Sequence, residues 1–185
     1  MCYLNRNSNF VSWFDGSQVI NQHGEPLIVY HGTNKAFNEF KLSFGGRNTN
    51  DNGKLGFYFT ESSTLAQAFC RKKWDNENSR LKVGGNILPV YLSIKNPKVI
   101  TAKQFVMIPY DINEYRDFQI EQGYDGLIIE PFSAEDAQAW IRMFGDNSAC
   151  MEFSSNQYCA FYPEQIKSAI ANNGSFNKQS KNILN

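Results

Sequence analysis

The run Gly24-Glu25-Pro26-Leu27-Ile28-Val29-Tyr30-His31-Gly32-Thr33 sets the terms on which the rest of the chain is read. Polar turn formers, Asn21-Gln22-His23-Gly24, stand at its start, and Val19-Ile20 precede them. Branched and aromatic residues from 27 to 30 favour an extended chain, and the Asn/Gly cluster favours a turn. Residues 19–30 therefore predict a small hairpin or strand entry that ends on His31. A neutral imidazole can hold a hydroxyl with one nitrogen while a neighbour on the other fixes its tautomer. Glycine beside it lets a flat group come close to the backbone. The same pair also suits a strand end with a hydrogen-bonded core histidine, and this run alone does not choose.

Outward from that run, 185 residues suit one domain, and 42% hydrophobic residues supply a core. Eighteen basic and 18 acidic residues balance, which does not favour broad coating of nucleic acid. No apolar stretch approaches the length of about 18 residues needed to cross a bilayer, so no membrane partner is expected. The start of the chain lacks a basic region followed by an apolar run, which points to the cytoplasm of a host or target cell. Cys2, Cys70, Cys150 and Cys159 are widely spaced and only two histidines exist, a poor basis for a metal site.

The element order predicts an α+β domain over 19–171, with an N-terminal extension over 1–18 and a polar, frayed tail over 172–185. In the extension, Phe10, Trp13 and Phe14 suit a short docking helix. Residues 41–55 form a Gly/Asn-rich loop, long enough to be functional. A strand follows at Gly56-Phe57-Tyr58-Phe59-Thr60, then a helix over 62–73 capped by Ser62 or Thr60. Strands are expected at 86–94, 99–100 and 126–130, and helices at 112–122 and 133–144. Residues 145–156 predict a polar loop with a short strand at 151–153. A strand at 158–162 leads to Pro163, which predicts a final helix over 163–171.

Five strings in this order, "GEPLIVYHGT", "GFYFTES", "ILPVYLSIKNP", "GYDGLII" and "QYCAFYPEQIKSA", resemble the ADP-ribosyltransferase superfamily. The likeness covers residues 19–170. It is to the branch with a His-Tyr-Glu triad, shared by diphtheria-type toxins and poly-ADP-ribose polymerases, and especially to small bacterial and phage transferase domains, including those of polyvalent proteins. The resemblance implies a split mixed β-sheet core with flanking helices, and NAD as substrate with no metal. It assigns His31 to a ribose hydroxyl of NAD and the Gly32 backbone to the nicotinamide carboxamide, with Thr33 beside them. Tyr58 and Phe69 match the two rings that enclose the nicotinamide, an arrangement that suits a flat pyridinium. Phe69 also suits ordinary core packing. Arg47, with Lys54, lies where the family has a flexible loop over the NAD phosphates.

Gln157 falls where the triad carries its catalytic glutamate. A carboxylate there supports charge developing on the ribose as the glycosidic bond breaks. Glutamine keeps the shape and one acceptor oxygen but loses the charge, a change on the order of 3–4 kcal/mol in the barrier. Three explanations stand: an enzyme that works with glutamine, an engineered Glu-to-Gln change, or a binder without turnover. Glu152, at an odd offset along an extended segment, is expected to face away from Gln157. Glu164 is expected to serve the start of the last helix.

The resemblance thus implies a mono-ADP-ribosyltransferase, as a bacterial or phage toxin or effector. Its acceptor is a macromolecule, protein or nucleic acid, aimed by residues 145–156, and a neutralising partner protein fits that setting. The alternative is a catalytically silent module that binds NAD or a partner.

Overall fold

The computed structural model describes residues 8–44, 54–70, 85–108 and 111–185. Among them, seven strands form one mixed sheet in the order β4-β5-β6-β2-β1-β3-β7. The strands are β1 (Val29–Thr33), β2 (Phe57–Thr60), β3 (Asn86–Leu92), β4 (Pro97–Thr101), β5 (Gly126–Glu130), β6 (Gln157–Ala160) and β7 (Ile166–Ser168). β4 and β5 pair in parallel, and the other neighbours are antiparallel. Helices α1 (Ser8–Phe14), α2 (Ser63–Phe69), α3 (Ala102–Val106), α4 (Ile112–Glu121), α5 (Ala134–Phe144) and α6 (Ser148–Glu152) flank it. The expected α+β architecture is observed.

Alternation along the strands splits the core into two layers. Val29, Phe57, Phe59, Tyr158 and Ala160 face one layer, with Phe40, Val90 and Leu92. Leu127, Ile129, Cys159 and Phe161 face the other, with Phe105, Ile112 and Phe153. The helix caps follow their sequence signals. Ser62 Oγ accepts from Leu65 N, and Ser133 Oγ accepts from Asp136 N. α5 ends at Gly145, whose φ of 67° is the left-handed turn glycine allows.

Two expectations fail near the C-terminus. Residues 163–171 do not form a helix. Pro163–Gln165 make a single 3₁₀ turn, and Ile166–Ser168 join the sheet edge beside β3. Proline started a turn as its fixed φ favours, but three buried positions paired with β3 outweighed local helix preference. The tail does not fray at its end either. Ile183 is buried, its N–H donates to the Asn38 carbonyl, and its carbonyl accepts from Ser168 N. The buried Lys167 ammonium donates to the carbonyls of Ser180 at 2.7 Å and Asn182 at 3.0 Å. Burial pulls the Lys167 pKa down to about 8, and the nearby Glu164 opposes that pull.

At the other end, α1 docks as expected. Phe10, Trp13 and Phe14 pack with Tyr91 and Phe176, and Trp13 Nε1 donates to the Glu164 carbonyl.

Candidate functional site

β1 and β2 meet at the middle of the sheet, yet they share a single pair, Tyr30 with Thr60. On its other side β1 pairs with β3 along its whole length. The pattern of backbone bonds follows from Pro89, which stands opposite Tyr30 and has no N–H. The Pro89 carbonyl accepts from Ala169 N, so Tyr30 and Pro89 form a non-hydrogen-bonded pair. By alternation, the N–H and C=O of Tyr30 and Gly32 turn towards β2. A continued ladder would join Gly32 to Tyr58. Instead the Tyr58 carbonyl accepts from the His31 ring at Nδ1, 2.8 Å away. The side chain has replaced the backbone donor, and the Gly32 peptide groups face the opening between the strands.

That bond settles the His31 tautomer. A carbonyl only accepts, so Nδ1 carries the proton and Nε2 presents a lone pair. Burial lowers the His31 pKa from the usual 6.5, against the opposing effect of the Tyr58 carbonyl, and the ring is neutral at pH 7. Phe37, Phe40 and Phe59 wall it at centroid distances of 6.1, 4.9 and 5.5 Å.

Gly32 is a close-approach glycine, and what approaches it is a helix. A Cβ at Gly32 would lie 1.8 Å from the Ala66 carbonyl oxygen and 3.1 Å from Phe69 Cβ. α2 therefore lies directly on the β1 backbone, and Phe69, 40% exposed, comes to the edge of the opening. Thr33 is buried, and its Oγ1 accepts from Lys35 N. Thr60 Oγ1 bonds Ser155 Oγ and accepts from Ser62 N, so it braces the turn into α2. Arg47 lies outside the described residues. Lys54 is exposed just before the buried Leu55.

Tyr58, Thr60 and Gln157 share the sheet face on which α2 lies, because Tyr58 stands opposite Cys159 and Thr60 opposite Gln157. The Tyr58 ring meets Phe105 edge-on at 6.0 Å, and its hydroxyl and the Cys159 thiol are hydrogen-bonding neighbours. Burial pushes both groups well above their ordinary pKa values. The nearby charges of Cys159, Glu152 and Tyr115 push Tyr58 the same way.

Gln157 is 5% exposed, and its Nε2 donates to the Glu152 carbonyl at 2.7 Å. Residues 145–156 are not the loop and strand expected. They hold helix α6, whose end is fixed by that bond and by buried Phe153 against Phe105 and Phe132. The Glu152 atom that Gln157 meets is the backbone carbonyl, so it is the extended segment assumed behind the expected orientation of Glu152 that is not observed. The alternation rule applies to an extended segment, whereas the chain here coils and turns back. Glu152 is exposed as a residue, yet its carboxyl is shielded enough for burial to raise its pKa above 4.5. Its charge also reaches Tyr58. Among the described residues, no cluster of His, Cys, Asp or Glu is arranged to hold a metal.

Comparison with known families bears on this geometry. A family model described as "ADP-Ribosyltransferase in polyvalent proteins" matches residues 21–176. No curated protein matches the chain. The chain belongs to this family of ADP-ribosyltransferases, and the opened mixed sheet is consistent with that fold. The match spans β1, β2 and β6, the strands that carry His31, Tyr58 and Gln157.

Proposed function

We propose that the protein is a mono-ADP-ribosyltransferase that cleaves NAD and passes ADP-ribose to a macromolecular acceptor. Family membership gives the reaction class. The observation that carries the reading further is the break in the β1–β2 ladder, where the Gly32 peptide groups turn towards β2 and the His31 ring takes the place of a backbone donor to the Tyr58 carbonyl. In this reading His31 accepts from a ribose hydroxyl. The Gly32 N–H and C=O match the acceptor and donor of a carboxamide, and Tyr58 and Phe69 border the nicotinamide. The C–N bond to nicotinamide breaks through an oxocarbenium-like state, and the acceptor attacks the anomeric carbon. The acceptor, protein or nucleic acid, approaches past α5 and α6. A role as a bacterial or phage toxin or effector in the cytoplasm of a target cell, held in check by a neutralising partner, fits a small domain of this kind.

Gln157 favours a second reading, a domain that binds NAD without turnover. Its amide is committed to a bond that a carboxylate cannot make. The same bond supports glutamine as the residue this pocket was shaped around, rather than an engineered replacement. Two measurements separate the readings. Calorimetry with NAD measures binding, and nicotinamide release beside labelled NAD in a lysate measures transfer. The transferase reading expects both, with His31→Ala weakening NAD binding at least about tenfold by loss of one buried hydroxyl partner. Binding without release supports the silent module, and no binding at all removes both.

A further inference from the structure

Glutamine at the triad position lacks a negative charge, and its side chain bonds the backbone of a glutamate that the triad pattern does not include. Glu152 ends α6, and its own backbone carbonyl is held by the Gln157 side chain at 2.7 Å. Phe153, the next residue, is buried against Phe105, the ring that also meets Tyr58. These two anchors fix the backbone of Glu152 beside the Tyr58 face, while the residue keeps access to solvent. Glu152 is also the carboxylate whose charge is felt at the Tyr58 hydroxyl.

The neighbouring acids are placed otherwise. Glu61 lies on the opposite sheet face, where its Oε1 accepts from the Tyr158 hydroxyl and from Asn156 Nδ2. Asp146 accepts from Ser148 at the start of α6. Glu164 follows β6, in the 3₁₀ turn where its carbonyl accepts from Trp13.

We propose that Glu152 is the carboxylate of the transfer step, and that Gln157 serves as its positioning residue by holding the end of α6. The inference rests on the transferase reading. In the step, the bond between the nicotinamide nitrogen and the ribose C1 breaks, its electron pair goes to nitrogen, and neutral nicotinamide leaves. A lone pair of an acceptor hydroxyl or amine forms the new bond to C1. The acceptor's proton passes to Glu152 and then to water. Burial shifts Glu152 upward from its ordinary value, the direction that strengthens a carboxylate as a base. Tyr58 on β2 is the titratable group that feels the Glu152 charge, and Cys159 on β6 and Tyr115 on α4 act on Tyr58 in turn. Burial raises all three, so they stay protonated near neutral pH.

The test compares the whole chain with Glu152→Gln and Glu152→Ala for nicotinamide release with lysate acceptors, and for NAD affinity by calorimetry. Glu152→Gln should lower release at least about 100-fold while NAD affinity stays within about twofold. The acid limb of the release profile should vanish in that variant, and added formate should partly restore Glu152→Ala. Those are effects a packing role would not produce. Release that survives Glu152→Gln with an unchanged pH profile overturns the Glu152 role and leaves the transferase reading standing. Absence of release by the unaltered chain overturns the transferase reading and this inference together.

Discussion

Replacing Gln157 with glutamate changes one group at a place where its neighbours leave little choice. The Gln157 amide donates to the Glu152 carbonyl at 2.7 Å, and the residue is 5% exposed. A carboxylate has no proton to give, so two acceptors would face each other. The Glu152 carbonyl loses its partner and the new charge is desolvated, a cost of about 1–3 kcal/mol or more. Protonation relieves both, because a carboxylic acid O–H can donate to the same carbonyl. The introduced carboxyl therefore has a folded-state pKa raised above its unfolded value of about 4.3. A group so raised binds its proton more tightly in the folded state, so stability falls as pH rises from the unfolded pKa through the folded one. Gln157→Glu should sit close to the parent at pH 5 and be about 2–3 kcal/mol less stable at pH 8. For a chain of this size that is a melting temperature lower by about 4–12 °C at pH 8. Paired thermal melts of both proteins at the two pH values give the comparison. An equal deficit at both pH values, or none, refutes the reasoning. In the same samples nicotinamide release should fall, since the helix end carrying Glu152 is freed. A rise would show that position 157 acts through charge.

Two further substitutions probe what holds the opening and the tail. Gly32→Ala should destabilise by about 3 kcal/mol or more, because the clash at 1.8 Å is with the backbone oxygen of Ala66 and has no side chain to move aside. Gly24→Ala, with open space around a φ of 74°, should cost only about 1 kcal/mol, and equal melts for the two variants would contradict the packing account. Lys167→Met leaves the Ser180 and Asn182 carbonyls without their ammonium donor, so limited proteolysis should remove the C-terminal residues at least about tenfold faster. An unchanged cleavage rate would show that Ile183 alone secures the tail.

The strand strings were legible because each carries its own signals. Val29–Thr33 and Phe57–Thr60 combine β-forming residues with flanking turns, and Ser62 and Ser133 announced their helices by cap chemistry. What was misread depends on partners far along the chain. Pro163 opens a turn in either case, and only the pairing of Ile166–Ser168 with Val90–Leu92 decides that a strand follows. Nothing near Lys167 reveals that its partners are two carbonyls in the tail. At the site, His31, Gly32 and Tyr58 stood out by residue type and order. The contact between Gly32 and Ala66 was hidden, because it depends on where α2 comes to rest. The coil that brings the Glu152 carbonyl to Gln157 was hidden for a related reason. A side-chain alternation rule presumes an extended backbone, and α6 is not one.

The single pair joining β1 to β2 makes a seam. On one side stands β1-β3-β7, on the other β2-β6-β5-β4. Across it run the Tyr30–Thr60 pair, the His31 bond to Tyr58, and α2 lying over both. Compliance in a sheet gathers where hydrogen bonds are fewest, so the line through Tyr30 and Thr60 is the natural axis for the two halves to rock about. One imidazole is a latch on that axis. Its Nδ1 ties the near half to the far half, and whatever occupies Nε2 inherits mechanical purchase on both.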